Sequence, residues 1–171
     1  MKKGLLFLCN GFEDAEALAT RSFLIKNSLN ISTFTPNDSL EVVSSYKLSV
    51  KADMHIDQIN LHEYDFLILP GGPYVKKALE EEPTYLNKIY DIINHFVDKN
   101  KIIGAICAAP SFLGKLKLLS NHDFTCYPGY NRYIEGNYRP DQKAVTSGNF
   151  VTSRSSDTVL DFVEYLLKKL A

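Results

Sequence analysis

The stretch Lys101-Ile102-Ile103-Gly104-Ala105-Ile106-Cys107-Ala108-Ala109-Pro110 decides the architecture. Residues 102–106 carry no polar side chain, and a short apolar run of this kind reads as a strand buried on both faces, the habit of parallel sheets covered by helices. The run stops at Cys107, and residues 108–119 have helical propensity. Small residues on both sides of the cysteine leave room for a tight turn. A strand that bends sharply into a helix with a nucleophile at the bend is a nucleophile elbow. The spacing Gly-x-x-Cys-Ala-Ala departs from the hydrolase pattern Gly-x-Ser-x-Gly, so the reading depends on what surrounds it.

Outward from this segment the chain alternates strands and helices. Residues 4–9, 31–35 and 64–69 are further β-rich runs, and residues 13–27, 83–100 and 158–170 are amphipathic helices. Ser155, Ser156 and Asp157 offer caps for the last of these. Residues 40–45 and 46–52 suggest a small antiparallel excursion. Residues 124–127 suggest a short strand, and 144–147 with 150–153 flank Gly148-Asn149 as a tight hairpin. Such alternation implies βαβ units: an α/β fold with a mostly parallel sheet and helices on both faces. Ligand sites in these sheets lie beyond the carboxyl ends of the strands. Loops 10–16, 70–74 and 107–110 fall there, so topology draws Glu16, Gly71-Gly72 and Cys107 to one edge.

The chemistry these residues permit is specific. A thiol at a helix N-terminus feels the positive end of the helix dipole, which predicts a lowered pKa for Cys107; the competing reading is a buried, inert cysteine. Glu16, flanked by alanines, can point away from Glu13 and Asp14, which read as partners of the helix dipole. A carboxyl buried beside sulfur has a raised pKa and can pass a proton to and from a reacting group. Gly71 and Gly72 form a turn whose backbone amides can approach a developing oxyanion. Cys126 ends a short strand and reads as packing or as an outer neighbour of Cys107, while Cys9 reads as core. His55, His62, His95 and His122 show no ligand spacing. Tyr127, Tyr130, Tyr133 and Tyr138 form an aromatic cluster that lines a pocket, meets another subunit or packs internally.

Composition bounds the partners. The chain has 171 residues, 45% of them hydrophobic and 23% charged, with a net charge of −1. That is enough for one domain, residues 1–171, with a substantial core. Without clustered Lys and Arg, no nucleic-acid partner is expected, and no apolar run approaches a membrane span. The start Met-Lys-Lys-Gly-Leu-Leu-Phe-Leu-Cys reads as a buried first strand rather than a secretion signal. A cytoplasmic location with three reduced cysteines is expected.

The set Gly11-Phe12-Glu13-Asp14-Ala15-Glu16, Leu69-Pro70-Gly71-Gly72, Ala105-Ile106-Cys107-Ala108-Ala109-Pro110 and Thr152-Ser153-Arg154 resembles the DJ-1/PfpI (ThiJ) family, closer to its DJ-1/ThiJ branch than to its protease-like branch. The resemblance implies a flavodoxin-like sandwich, related to class I glutamine amidotransferase domains, and a homodimer. It implies Cys107 as an easily oxidised thiol, Glu16 as its protonated partner, and Gly72 and Ala108 as oxyanion donors, with no metal or organic cofactor. The implied activity is that of a glyoxalase or deglycase acting on a small carbonyl substrate, with a redox sensor or chaperone as the alternative. The protease-like branch has His directly after the cysteine. Ala108 stands there, which speaks against a Cys-His peptidase.

Overall fold

The apolar run before Cys107 forms a strand at the heart of the sheet, with Ile103, Ala105 and Ile106 fully buried. The computed structural model describes residues 1–171. In chain order the elements are β1 Lys3–Phe7, a π-helical turn Ala15–Ala19 running into α1 Thr20–Lys26, β2 Asn30–Thr35, β3 Glu41–Val43, β4 Ser49–Lys51, β5 Met54–His55 and β6 Phe66–Leu69. Then come α2 Pro73–Glu81, α3 Thr84–Asp98, β7 Ile102–Ile106, α4 Pro110–Lys115, β8 Asp123–Phe124, β9 Asn137–Tyr138, β10 Ala144–Ser147, β11 Phe150–Ser153 and α5 Val159–Leu170.

Seven strands form the main sheet in the order β10-β11-β7-β6-β1-β2-β5. All neighbours run parallel except β10 and β11, the hairpin expected around Gly148-Asn149. The chain lays β2 on one side of β1 and later β6 on the other, so the strand order reverses at β1. Crevices beyond the carboxyl ends at such reversals are where α/β sheets bind ligands. The excursion expected at 40–52 is the antiparallel pair β3 and β4.

Helices cover both faces. α1 and α5 pack together, and α5 lies along β7 and β11; α3 lies along β6 and β7. α3 buries Leu86, Ile89, Ile92, Ile93 and Phe96, and α5 buries Val159, Phe162, Val163, Leu166 and Leu170. These are the i, i+3, i+4, i+7 stripes that hold an amphipathic helix to a core. Each such side chain contributes roughly 1.5–3 kcal/mol by leaving water. No helix is long and apolar enough to cross a membrane.

Three local expectations change. Residues 70–73 read as a turn alone, yet Pro73 opens α2 from its first position, where a missing N–H costs nothing. The helix expected over 108–119 is confined to Pro110–Lys115, again opened by a proline and closed by Lys117 at φ 58°. The strand expected over 124–127 pairs only at Asp123–Phe124, with β9. Beyond it the Thr125 amide donates to Thr152 Oγ1 at 3.0 Å and the Tyr127 amide to the Cys107 carbonyl at 2.8 Å.

Candidate active site

Cys107 sits at φ 65°, a left-handed conformation that a non-glycine residue rarely adopts. Two backbone bonds hold it there. Its amide donates to the Ser153 carbonyl at 2.9 Å, and its carbonyl accepts from Tyr127. Residues held in such regions concentrate at functional sites. The corner lifts the side chain out of the sheet, leaving Cys107 half-buried while Cys9 and Cys126 are buried.

Glu16 meets it from the other side. The π-helical turn at Ala15–Ala19 puts Glu16 on its inner face, 1% exposed, where its carboxyl and the Cys107 side chain meet over Gly71. Local widening of this kind is common at functional positions. The Gly71 amide donates to Glu16 Oε1 at 2.9 Å, and the Glu16 amide donates to Glu13 Oε2 at 2.8 Å. The Gly71 carbonyl in turn accepts from the Glu13 amide at 2.9 Å. Glu13 is therefore a brace for Glu16, more than a partner of the helix dipole. Asp14 is likewise a strap: it accepts from Ser44 Oγ at 2.7 Å and from the Tyr46 amide at 3.2 Å.

The oxyanion donors divide. The Gly71 amide, expected among them, is committed to Glu16. Gly72 and Ala108 keep amides that donate to no backbone carbonyl, and both residues line the same cavity as Cys107. Gly72 has φ 129° and packs against the Gly11–Glu13 backbone, so only glycine fits. The cavity, of about 490 Å³, is lined by Glu13, Glu16, Gly72, Pro73, Lys76, Cys107, Ala108 and Ser156, with Tyr46, Tyr127 and Tyr130 as an aromatic wall.

Burial, with Glu13 adding to it, raises Glu16 to about 7, against opposing hydrogen bonds from Cys107 and Gly71. Burial and the neighbouring carboxylate also push the Cys107 thiol up, while the Ala108 amide pulls it down. This corrects the expectation of a lowered pKa. α4 begins three residues later and is only six residues long, so its dipole does not outweigh desolvation and a negative neighbour. The resting pair holds the proton on sulfur once Glu16 ionises, and the carboxylate is placed to remove it.

Cys126 is fully buried, pushed up to about 12 by burial alone, and does not line this cavity. It packs in the core. Cys9 borders a second cavity of about 460 Å³ beyond the ends of β1 and β2, which Tyr85 also lines, and its thiol is pushed up by burial. Sequence reasoning missed Tyr46 and Lys76. Tyr46 tips the β3–β4 hairpin, and Lys76 lies on α2, a helix hidden by its Pro-Gly-Gly-Pro opening. Nowhere do three His, Cys, Asp or Glu side chains converge as metal ligands.

A mostly parallel sheet that carries a cysteine on a left-handed corner, with a buried carboxyl beside it, defines a class of α/β proteins with a cysteine at a strand-to-helix bend. The chain belongs to the DJ-1/PfpI family, whose model matches residues 2–169. It is 28% identical over 166 residues to protein DJ-1 homolog B of Arabidopsis thaliana, covering 96% of this chain but 37% of that longer protein. It is 27% identical to protein dj-1beta of Drosophila melanogaster, covering 99% of this chain and 90% of that one. A deglycase of Pyrococcus horikoshii is 28% identical over 156 residues, 89% of each chain. Among solved structures, a DJ-1 superfamily protein of Salmonella typhimurium superposes with a TM-score of 0.87 at 27% identity, covering 99% of this chain and 90% of that one.

Proposed function

We propose that this protein is a cysteine-dependent, cofactor-independent enzyme that converts small 2-oxoaldehydes such as methylglyoxal to 2-hydroxy acids. One observation carries the reading: the buried Glu16 carboxyl lies against the half-buried Cys107 side chain, at the floor of a cavity that Gly72 and Ala108 line with amides donating to no backbone carbonyl. The family relationship and the deglycase of Pyrococcus horikoshii support carbonyl chemistry.

The steps follow from the placement. Glu16 takes the thiol proton as sulfur bonds to the aldehyde carbon, and the carbonyl oxygen becomes an oxyanion facing the amides of Gly72 and Ala108. The oxyanion takes the proton back from Glu16, giving a neutral hemithioacetal. The restored carboxylate removes the proton on the former aldehyde carbon and delivers it to the adjacent carbon through an enediol, while the hydroxyl proton of the hemithioacetal passes to the former ketone oxygen. The product is a thioester of Cys107 with a 2-hydroxy acid, which water hydrolyses to the free acid and the thiol. The net change is addition of one water to the 2-oxoaldehyde. Protein freed of metal by exhaustive chelation is expected to make lactate from methylglyoxal, and Cys107→Ala and Glu16→Ala to abolish it. Unchanged turnover in Cys107→Ala overturns the proposal.

A second reading has its own support. Cys107 is the cysteine with access from the cavity, while Cys9 and Cys126 are buried. Its sulfur can attack a peroxide oxygen, releasing water and forming a sulfenate, and a second peroxide yields the sulfinate. Mass spectrometry after graded peroxide is expected to find the added oxygens on Cys107 first; oxidation beginning at Cys9 or Cys126 removes the basis for redox sensing.

A further inference from the structure

We propose that the cavity beside Cys107 is built for 2-oxoaldehydes whose ketone carries an aromatic ring, with phenylglyoxal as the simplest representative. The inference rests on the 2-oxoaldehyde reading above and narrows its substrate class.

Size is the first argument. A cavity of about 490 Å³ lies in the roughly 300–1,000 Å³ range of sites for much larger ligands. Methylglyoxal, with three carbons, leaves most of it empty. A phenyl ring on the ketone carbon would extend from the Cys107 end into the remaining space.

The lining is the second argument. Three of the residues around the cavity are tyrosines, Tyr46, Tyr127 and Tyr130. The rings of Tyr127 and Tyr130 stand edge to face, 6.4 Å between centroids at 71°, and so form an aromatic corner. Aromatic pairs favour this and the offset-stacked arrangement because the ring face is negative and the edge positive. A third ring placed in the corner can meet one tyrosine by face and the other by edge.

The wall is fixed in place, which is the third argument. The Tyr127 amide is bonded to the carbonyl of Cys107 itself, so the backbone that carries this ring is registered to the nucleophile. The Arg132 guanidinium lies over the Tyr130 ring at 5.7 Å and over Tyr133 at 4.5 Å, clamping the turn that carries both. Tyr46 is 76% exposed, which would ordinarily leave it loose. Yet its backbone is tied to Asp14, two residues from Glu16, and the neighbouring Ser45 amide donates to the Phe12 carbonyl at 2.8 Å. The carboxyl segment and the hairpin tip therefore form one assembly.

For an aryl substrate the chemistry balances as before: phenylglyoxal and one water give mandelate, with Cys107 and Glu16 returned to their starting states. The test compares kcat/KM for phenylglyoxal and methylglyoxal in the wild type, Tyr130→Leu, Tyr130→Phe and Asp14→Asn. The expected wild-type ratio favours phenylglyoxal by about tenfold. It falls at least fivefold in Tyr130→Leu, stays near the wild-type value in Tyr130→Phe, and falls in Asp14→Asn, which weakens the tie of the Ser44–Tyr46 hairpin tip to the carboxyl segment. Equilibrium binding of mandelate and lactate to the wild-type protein, read by tyrosine fluorescence, gives a measure that needs no turnover and no variant that folds. Mandelate is expected to bind at least fivefold more tightly. Turnover of neither aldehyde together with that preference sinks the enzymatic reading and keeps the aromatic site. A ratio unmoved by Tyr130→Leu, or equal affinities for mandelate and lactate, overturns the aromatic site whether or not turnover is found.

Discussion

The Gly71 amide nitrogen lies 2.9 Å from Glu16 Oε1, and a methyl group built on Gly71 would stand 2.5 Å from the same oxygen and 2.8 Å from the Cys107 Cβ. The glycine thus does two things at once. It supplies a hydrogen bond to the carboxyl, and by lacking a side chain it lets carboxyl and thiol meet. Gly71→Ala is expected to push Glu16 away from sulfur. A displacement of about 1 Å at a reacting group costs about 10²-fold in rate, and overpacking a filled site costs about 1–3 kcal/mol of stability. Steady-state assays with methylglyoxal alongside urea unfolding check both; wild-type turnover in the folded variant would contradict the positioning role.

The raised pKa of Glu16 makes stability depend on pH. A carboxyl that titrates near 4.5 when unfolded and at about 7 when folded binds more protons in the folded state between those values. Stability therefore falls as pH rises through this window, and the penalty, about 3 kcal/mol, is complete above it. Glu16→Gln removes the titration. The variant is expected to be the more stable protein at pH 8, with its advantage shrinking towards pH 5. Urea unfolding of both proteins across that range is the measurement, and a gap that widens towards low pH would contradict the assignment. Turnover by the wild type should rise with pH through about 7, as the carboxylate form accumulates.

Much of this was legible before any coordinates. Parallel strands buried on both faces leave unbroken apolar runs, so β1, β6 and β7 stand out, and an abrupt stop at Cys107 marks the corner. The alanines beside Glu16 separate it from Glu13 and Asp14. Other parts depend on contacts between residues far apart in the chain. Nothing local shows that Asp14 ties down Tyr46, that the Gly71 amide is spent on Glu16, or that Cys126 packs away from the cavity. The aromatic cluster after β8 has one pattern and several outcomes: Tyr127 and Tyr130 face the cavity, whereas Tyr138 stacks on Phe124. The thiol's pKa differs from the expectation because a helix dipole is visible in sequence, while desolvation and a facing carboxylate are not.

That carboxylate gives an unusual pairing of expectations for one substitution. Its charge and its hydrogen bond both raise the Cys107 pKa, so Glu16→Gln should make the thiol more acidic even as it removes the proton carrier. Alkylation by iodoacetamide at pH 7 is expected to run severalfold faster in Glu16→Gln than in the wild type, because the thiolate is the reacting form. The same variant should lose 2-oxoaldehyde turnover. Slower alkylation would mean that Glu16 stabilises the thiolate. In both proteins the label should fall on Cys107, with Cys9 and Cys126 protected by burial until the chain unfolds.

Tyr74 extends the argument beyond the residues that touch the cavity. It is 3% exposed, and its hydroxyl donates to the Pro70 carbonyl at 2.5 Å, immediately before the glycine whose amide holds Glu16. Its ring packs between Phe7 and Phe112, with centroids at 5.8 and 6.1 Å, so the hydroxyl has little freedom to choose another acceptor. Tyr74→Phe keeps the ring and leaves the buried Pro70 carbonyl without this donor, a loss of about 1–3 kcal/mol. If the bond only stabilises the fold, unfolding shifts and turnover by the folded protein does not. If it also sets the 70–72 loop, the positions of the Gly71 and Gly72 amides relax together. Then kcat falls more than KM rises, because the oxyanion donors act chiefly in the transition state, and the pH at which turnover rises moves with the Glu16 carboxyl. A several-fold drop in kcat with a displaced pH profile is the expected result, and a wild-type profile in the folded variant would confine Tyr74 to the core.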